Sequence, residues 1–302
     1  MGAASVQATA PKRRSRGLPE RRLAAVMVSP SLALIALVAA YPIIYAIWIS
    51  LHEYSVRVAG LSRWAGFKNY STALGNNEFW SAMGVTLSFS AISVFLELLI
   101  GLGMAMAMHQ AFKGQGVLRT VVLVPWAVLT VVTGIMWRTI FEAPQGLVNS
   151  IFGLDTVWLG SKPEALFVII VADVWKTAPF MALLILAGLQ VISDDVYEAA
   201  KVDGATAWQR FVRITLPLLK PAILVALIFR TLDALRIFDL PFVLTQGQQG
   251  TTSLSLLAQQ TFAQNRIYGL GSAYAILTFV TVMIVAFVYI RFVGGNLTTE
   301  DD

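Results

Sequence analysis

The 302-residue sequence has no cysteine and only two histidines, His52 and His109. Without thiols there is no disulfide framework, no thiolate nucleophile and no cysteine-ligated metal. The two histidines form no HExxH-type pair, so neither a histidine-held metal nor a nucleophile–base pair for intramembrane hydrolysis is expected. Charge is scarce too: Asp, Glu, Lys and Arg supply 13% of the chain, about half the share of a soluble domain. No GxxxxGK[ST] loop occurs. The one Lys-Thr pair, Lys176-Thr177, follows Trp175 with no glycine-rich stretch before it, which excludes ATP binding through a P-loop. No internal repeat of the kind many secondary carriers show is apparent.

Apolar residues fill the space left by charge, at 57% of the chain with a mean hydropathy of +0.71. Crossing a bilayer takes roughly 20 apolar residues in a helix. Six segments qualify, at about 23–50, 82–108, 117–140, 165–192, 220–244 and 271–293. The chain therefore reads as an all-α polytopic membrane protein with a transmembrane domain over 23–293. The first apolar run is about twice as long as the roughly 7–15-residue core of a cleavable signal, and is expected to stay as an anchor. Residues 1–22, ending PKRRSRGLPERR, read as a disordered basic tail, and 294–302 as a short second tail.

Orientation follows from the cations. With the N-terminus inside, thirteen Lys and Arg fall on the cytoplasmic side, six outside, and three (Lys176, Arg230 and Arg236) within spans. The positive-inside rule then places both termini in the cytoplasm. The net charge of +5 is an orientation signal, and nucleic acid drops out as a partner.

Ionisable groups inside spans need a reason, since each costs roughly 2.5–3.5 kcal/mol at mid-bilayer on insertion scales. Glu97 lies in the second span, and Asp173 and Lys176 stand at i,i+3 in the fourth, spaced to pair. The fifth holds Arg230, Asp233, Arg236 and Asp239, each three residues from the next. On one helix these four make a slanted ladder of alternating sign. They read either as internal salt bridges or as polar groups lining a path for a hydroxyl-rich solute. Trp175 offers a ring face to a pyranose, or simply packs. Pro179 is expected to kink the fourth span. Gly101, Gly103, Ala105 and Ala107 allow close helix approach in the second.

The cytoplasmic segment 193–217 is charged and helix-forming. Ser193 with Asp194 and Asp195 reads as a helix start, Gly204 as a break, and 207–216 as a second short helix. Trp208, Phe211 and Val212 fall on one side of that helix, with Gln209, Arg210 and Arg213 on the other. Pro217 and Pro221 are expected to end it before the fifth span. By itself this is an amphipathic connector resting on headgroups. Its wording is more particular. Glu198, Ala199, Ala200, Asp203 and Gly204, then Phe211, Ile214, Leu216 and Pro217, resemble the EAA loop of ABC-importer permeases.

The resemblance extends along the chain, to the carbohydrate-uptake branch of maltose/trehalose type, with actinobacterial trehalose permeases reading most alike. Tyr41-Pro42, WAGFKNY (64–70), GLGMAMAMHQAFKGQGVLRTVVLVPW (101–126), WKTAPF (175–180) and FRTLDALRIFDLPFVLTQG (229–247) carry it. One departure is the turn Gln246-Gly247-Gln248-Gln249, where relatives often have a Gly-rich turn ending in Pro.

The resemblance implies a type I ABC importer permease with six spans and a cytoplasmic coupling helix. It makes the chain a non-catalytic subunit without cofactor in a bacterial cell membrane, carrying a disaccharide such as trehalose. The implied partners are membrane lipid, a second homologous permease, two ATPase subunits holding ATP and magnesium, and an extracytoplasmic solute-binding protein. That protein would meet loops 51–80 and 245–270. The rival reading is a self-contained secondary carrier or channel for a small polar solute, with the charged ladder as its path.

Overall fold

The computed structural model describes residues 20–55, 62–110 and 113–292. Most of the expected N-terminal tail (1–19), the C-terminal tail 294–302 and Arg57 lie outside them. The chain divides into two units, 1–45 and 46–302. The first consists of most of α1 (Glu20–Ser50), which holds Pro30 and Pro42 and stacks Tyr41 on Tyr45 at 6.0 Å.

After the last turn of α1, the second unit holds a feature the all-α reading did not foresee. Strands β1 (His52–Tyr54) and β2 (Ser62–Trp64) form an antiparallel ribbon with His52 opposite Trp64. Next come α2 (Lys68–Leu74), α3 (Asn77–His109), α4 (Gln115–Ala127), α5 (Thr130–Ile140), α6 (Leu147–Phe152) and α7 (Lys162–Leu189). The 193–217 segment supplies α8 (Asp194–Val202) and α9 (Ala207–Arg210), and a π-helical turn, Phe211–Thr215, leads into α10 (Leu216–Ala234). Then follow α11 (Asp239–Thr245), α12 (Leu254–Gln259), a second π turn and α13 (Tyr268–Phe292).

Among the described residues five helices are long and apolar enough to cross a membrane: Arg22–Ser50, α3, α7, Ala207–Ala234 and Tyr268–Tyr289. α4 and α5 pass the same test together but are bent by 90° between them, the geometry of a broken span or a re-entrant loop. The expected third span over 117–140 is thus not one continuous helix but two, parted at Val128 and Leu129. Pro125 lies in the last turn of α4, where its ring crowds the preceding carbonyls and it donates no hydrogen bond.

The fifth span is corrected at both ends. Pro217 does not separate it from the preceding short helix. It falls in the first turn of α10, where a missing N–H is tolerated, and the wider π turn before it carries the chain through. At the other end α10 stops at Ala234. The N–H groups of Arg236 and Ile237 turn back to the carbonyls of Asp233 and Ala234, closing the helix with tight turns.

The core of the bundle is α7 between α3 and α10. Gly101 faces Met181, and a Cβ there would lie 2.9 Å from its Cγ; Gly188 lies against the Ala222 methyl. Of the expected small-residue set, Gly101 and Ala105 are buried, whereas Gly103 opens onto free space and Ala107 is exposed. Gly188→Val should therefore destabilise the bundle by about 1–3 kcal/mol through overpacking, while Gly103→Val changes little. Thermal unfolding in detergent, followed by tryptophan fluorescence, compares the two.

The two expected outer loops meet, and the first is also tied to the end of α1 and to α13. Ser55 bridges Ile267, the Asn69 amide donates to the carbonyls of Ser50 (2.8 Å) and His52 (2.9 Å), and the Asn76 amide reaches the Tyr274 hydroxyl at 3.1 Å. The divergent turn is left-handed at Gln246 (φ 55°), Gly247 (φ 76°) and Gln249 (φ 58°). Gly247 is needed twice over, since a Cβ there would also meet the Thr252 hydroxyl at 2.8 Å.

Candidate functional site

Arg230, on α10, is the hub of the intramembrane charges. Its Nε and Nη2 both donate to Glu97 of α3, the second to Oε1 at 2.8 Å; Nη2 also meets Asp173 of α7. Nη1 reaches Asp233 Oδ2 at 3.1 Å, and the Thr177 hydroxyl donates to Glu97 Oε1 at 2.7 Å. The side chains of Glu97, Arg230 and Asp173 are 0%, 2% and 9% exposed, against 67% for Asp233. Charges this deep persist only if paired and hydrogen-bonded, and the guanidinium fork provides both. The cluster ties three spans together at one point.

Two expectations change. Asp173 does not pair with Lys176, because Arg230 takes it. Lys176 Nζ donates instead to the carbonyls of Trp126 (3.3 Å) and Val128. Those carbonyls lose their helical partners at the break between α4 and α5, and a cation is the natural cap for a helix C-terminus without water. Nor do Arg230, Asp233, Arg236 and Asp239 form a ladder on one helix. Arg236 lies in the turn after α10, with Nε on the Leu232 carbonyl at 3.1 Å, and Asp239 opens α11.

The breaks in both spans converge on one cavity of about 270 Å³. Thr130 at the start of α5, Asp173, Lys176 and Thr177 on α7, Arg230 and Asp233 on α10, and Arg236 and Asp239 beyond it line the space. Glu97 stands behind it through Arg230 and Thr177. Trp175 is elsewhere: its ring meets Trp137 edge-on at 6.0 Å, beside a separate apolar cavity of about 510 Å³. Chemically the cavity has two layers. The buried ions satisfy each other, whereas the exposed Asp233, Arg236 and Asp239, with half-buried Lys176, present donors and acceptors to the space.

The 193–217 segment is the second candidate. Ser193 caps α8, accepting from the Asp195 N–H at 3.3 Å, and Asp203 ends it. Gly204 has φ +78°, which makes the bend. Thr206 and Gln209 then form a reciprocal capping box for α9, a T-x-x-Q signal that was readable in the sequence but passed over. Ala200 is buried and Phe211 half-buried, while Glu198, Ala199, Asp203, Gly204 and Pro217 are exposed. Among the described residues, nothing pairs with the Glu198 carboxylate. The same segment exposes apolar side chains, Val202 at 88% and Trp208 at 71%, which water alone does not favour.

Residues 97–294, which include every candidate above, match the family of binding-protein-dependent transport system inner membrane components. The chain belongs to that family. It is 47% identical over 278 residues to the trehalose/maltose transport system permease protein MalF of Thermococcus litoralis, covering 90% of this chain and 94% of that one. It is 41% identical to the trehalose transport system permease protein SugA of Mycobacterium tuberculosis, covering 92% and 91%. Among solved structures, a bacterial ABC transporter involved in the import of the acidic polysaccharide alginate superposes with a TM-score of 0.78, at 25% identity over 92% of this chain and 96% of that one. The fold is that of type I ABC importer permeases, and such a subunit is a transport component, not a catalyst.

Proposed function

We propose that the chain is the permease subunit of an ATP-driven importer for a disaccharide of trehalose or maltose type. The observation that carries this is the extent of the likeness to MalF and SugA, at 47% and 41% identity over some nine-tenths of the chain. The cavity supports it, since exposed carboxylates accept from sugar hydroxyls while Lys176 and Arg236 donate to them. Both termini lie in the cytoplasm, in a bacterial cell membrane. The 193–217 loop docks in a cleft of an ATPase subunit, one of two that hold ATP and magnesium. A second, homologous permease completes the path, and a solute-binding protein meets loops 51–80 and 245–270 outside. Closure of the ATPases moves the loops and turns the cavity from inward- to outward-facing.

The test is reconstitution with the second permease, the ATPases and the binding protein in vesicles, against a panel of labelled sugars. ATP-dependent uptake of trehalose or maltose is expected. Transport by this chain alone, indifferent to the ATPases, would make it a self-contained carrier. Asp239→Asn should slow uptake at low sugar concentration by about tenfold, the size of one charge-assisted hydrogen bond. Trp175→Phe should leave it unchanged.

A further inference from the structure

We propose that Tyr197 and Thr215 are the positioning pair that transmits movement of α8 to the fifth span. The inference rests on reading 193–217 as the coupling loop. On α8, Asp194, Asp195, Val196, Glu198 and Ala199 are exposed, whereas Tyr197 is half-buried. A cavity of about 340 Å³, lined in part by Met106, His109, Leu189 and Phe211, lies under the loop and holds both Tyr197 and Thr215 on its wall. Across it the Tyr197 hydroxyl meets Thr215 Oγ1 at 3.1 Å. Among the described residues this is the sole side-chain hydrogen bond or ion pair from α8 to the fifth span.

The receiving end is suited to the task. Thr215 is 6% exposed and closes the π turn Phe211–Thr215, the one irregular turn in the helix that continues to Ala234. Its hydroxyl donates to the Arg210 carbonyl at 3.4 Å, which leaves the Tyr197 proton to complete the chain of bonds. A π turn is a helix's weak point and often marks a functional site. Beyond it the α-helix runs on, past Pro221, to Arg230 and Asp233 at the wall of the charged cavity. A pull on α8 thus enters at the π turn and leaves where the solute sits.

The experiment uses the full complex in vesicles and reads sugar imported per ATP hydrolysed, with co-elution of the ATPases as a check on assembly. Tyr197→Phe and Thr215→Val should each lower that ratio about fivefold, the scale of one net hydrogen bond, with assembly intact. Thr215→Ser should retain it, and the double variant should be no worse than either single one. A normal ratio in both single variants, or losses that multiply in the double, would overturn the pair. If the wild-type complex couples while both single variants couple equally well, this tie alone falls. If the wild-type complex hydrolyses ATP without uptake, the coupling-loop reading falls and the pair with it.

Discussion

Replacing Arg230 with leucine is expected to destabilise the bundle by about 3–5 kcal/mol, the usual result of removing one partner from a buried ion pair. The side chain holds Glu97 and Asp173 together while itself 2% exposed. Without it two carboxylates face each other across the junction of α3, α7 and α10 with nothing to neutralise them. The unfolding midpoint in detergent should fall on the order of 10 °C, read from the eight tryptophans. Arg230→Lys should fall between, since an ammonium keeps the charge but loses the two-pronged contact with Glu97. The triple variant Arg230→Leu, Glu97→Gln, Asp173→Asn should recover much of the loss. A midpoint unmoved by Arg230→Leu would mean that the cluster does not hold the spans together.

Glu198→Lys should abolish uptake and weaken association with the ATPases while leaving the chain in the membrane. The side chain is exposed and has no partner among the described residues, so reversing its charge costs the fold little. Its proposed partner is a basic residue on the ATPase, and lysine would turn that attraction into repulsion. Gly204→Asp should have the same outcome by another route. Open space surrounds the position, but φ is +78°. A residue with a Cβ costs about 1–2 kcal/mol more in the left-handed region, enough to change the angle between α8 and α9. Pull-down of the ATPases and uptake in a cell lacking the native chain measure both effects. Normal uptake with either variant would remove the coupling role from the loop.

The helical spans and the loop helices were legible because their signals are local. An apolar run, a Ser cap before two aspartates and a glycine at the bend each act within a few residues. The breaks were less legible. Pro125 and Pro217 have the same chemistry, yet one helps end a helix and the other sits inside a continuing one, because only the second falls in a first turn prepared by a π turn. The ion pairs were least legible of all. Spacing alone favoured Asp173 with Lys176, but spacing says nothing of Arg230, which approaches from another span.

By itself the sequence determined that the protein lies in a membrane, roughly where its long apolar segments fall, and where a charged helix–bend–helix interrupts them. Composition, periodicity and caps are properties of short stretches and need no neighbour. Only the tertiary structure decided which charges meet. A buried charge takes whichever partner can reach it, and reach depends on how α3, α7 and α10 pack at Gly101 and Gly188. The same packing left Trp175 against Trp137 and brought Lys176 to the open carbonyls of a broken helix, gathering Asp233, Arg236 and Asp239 around one cavity.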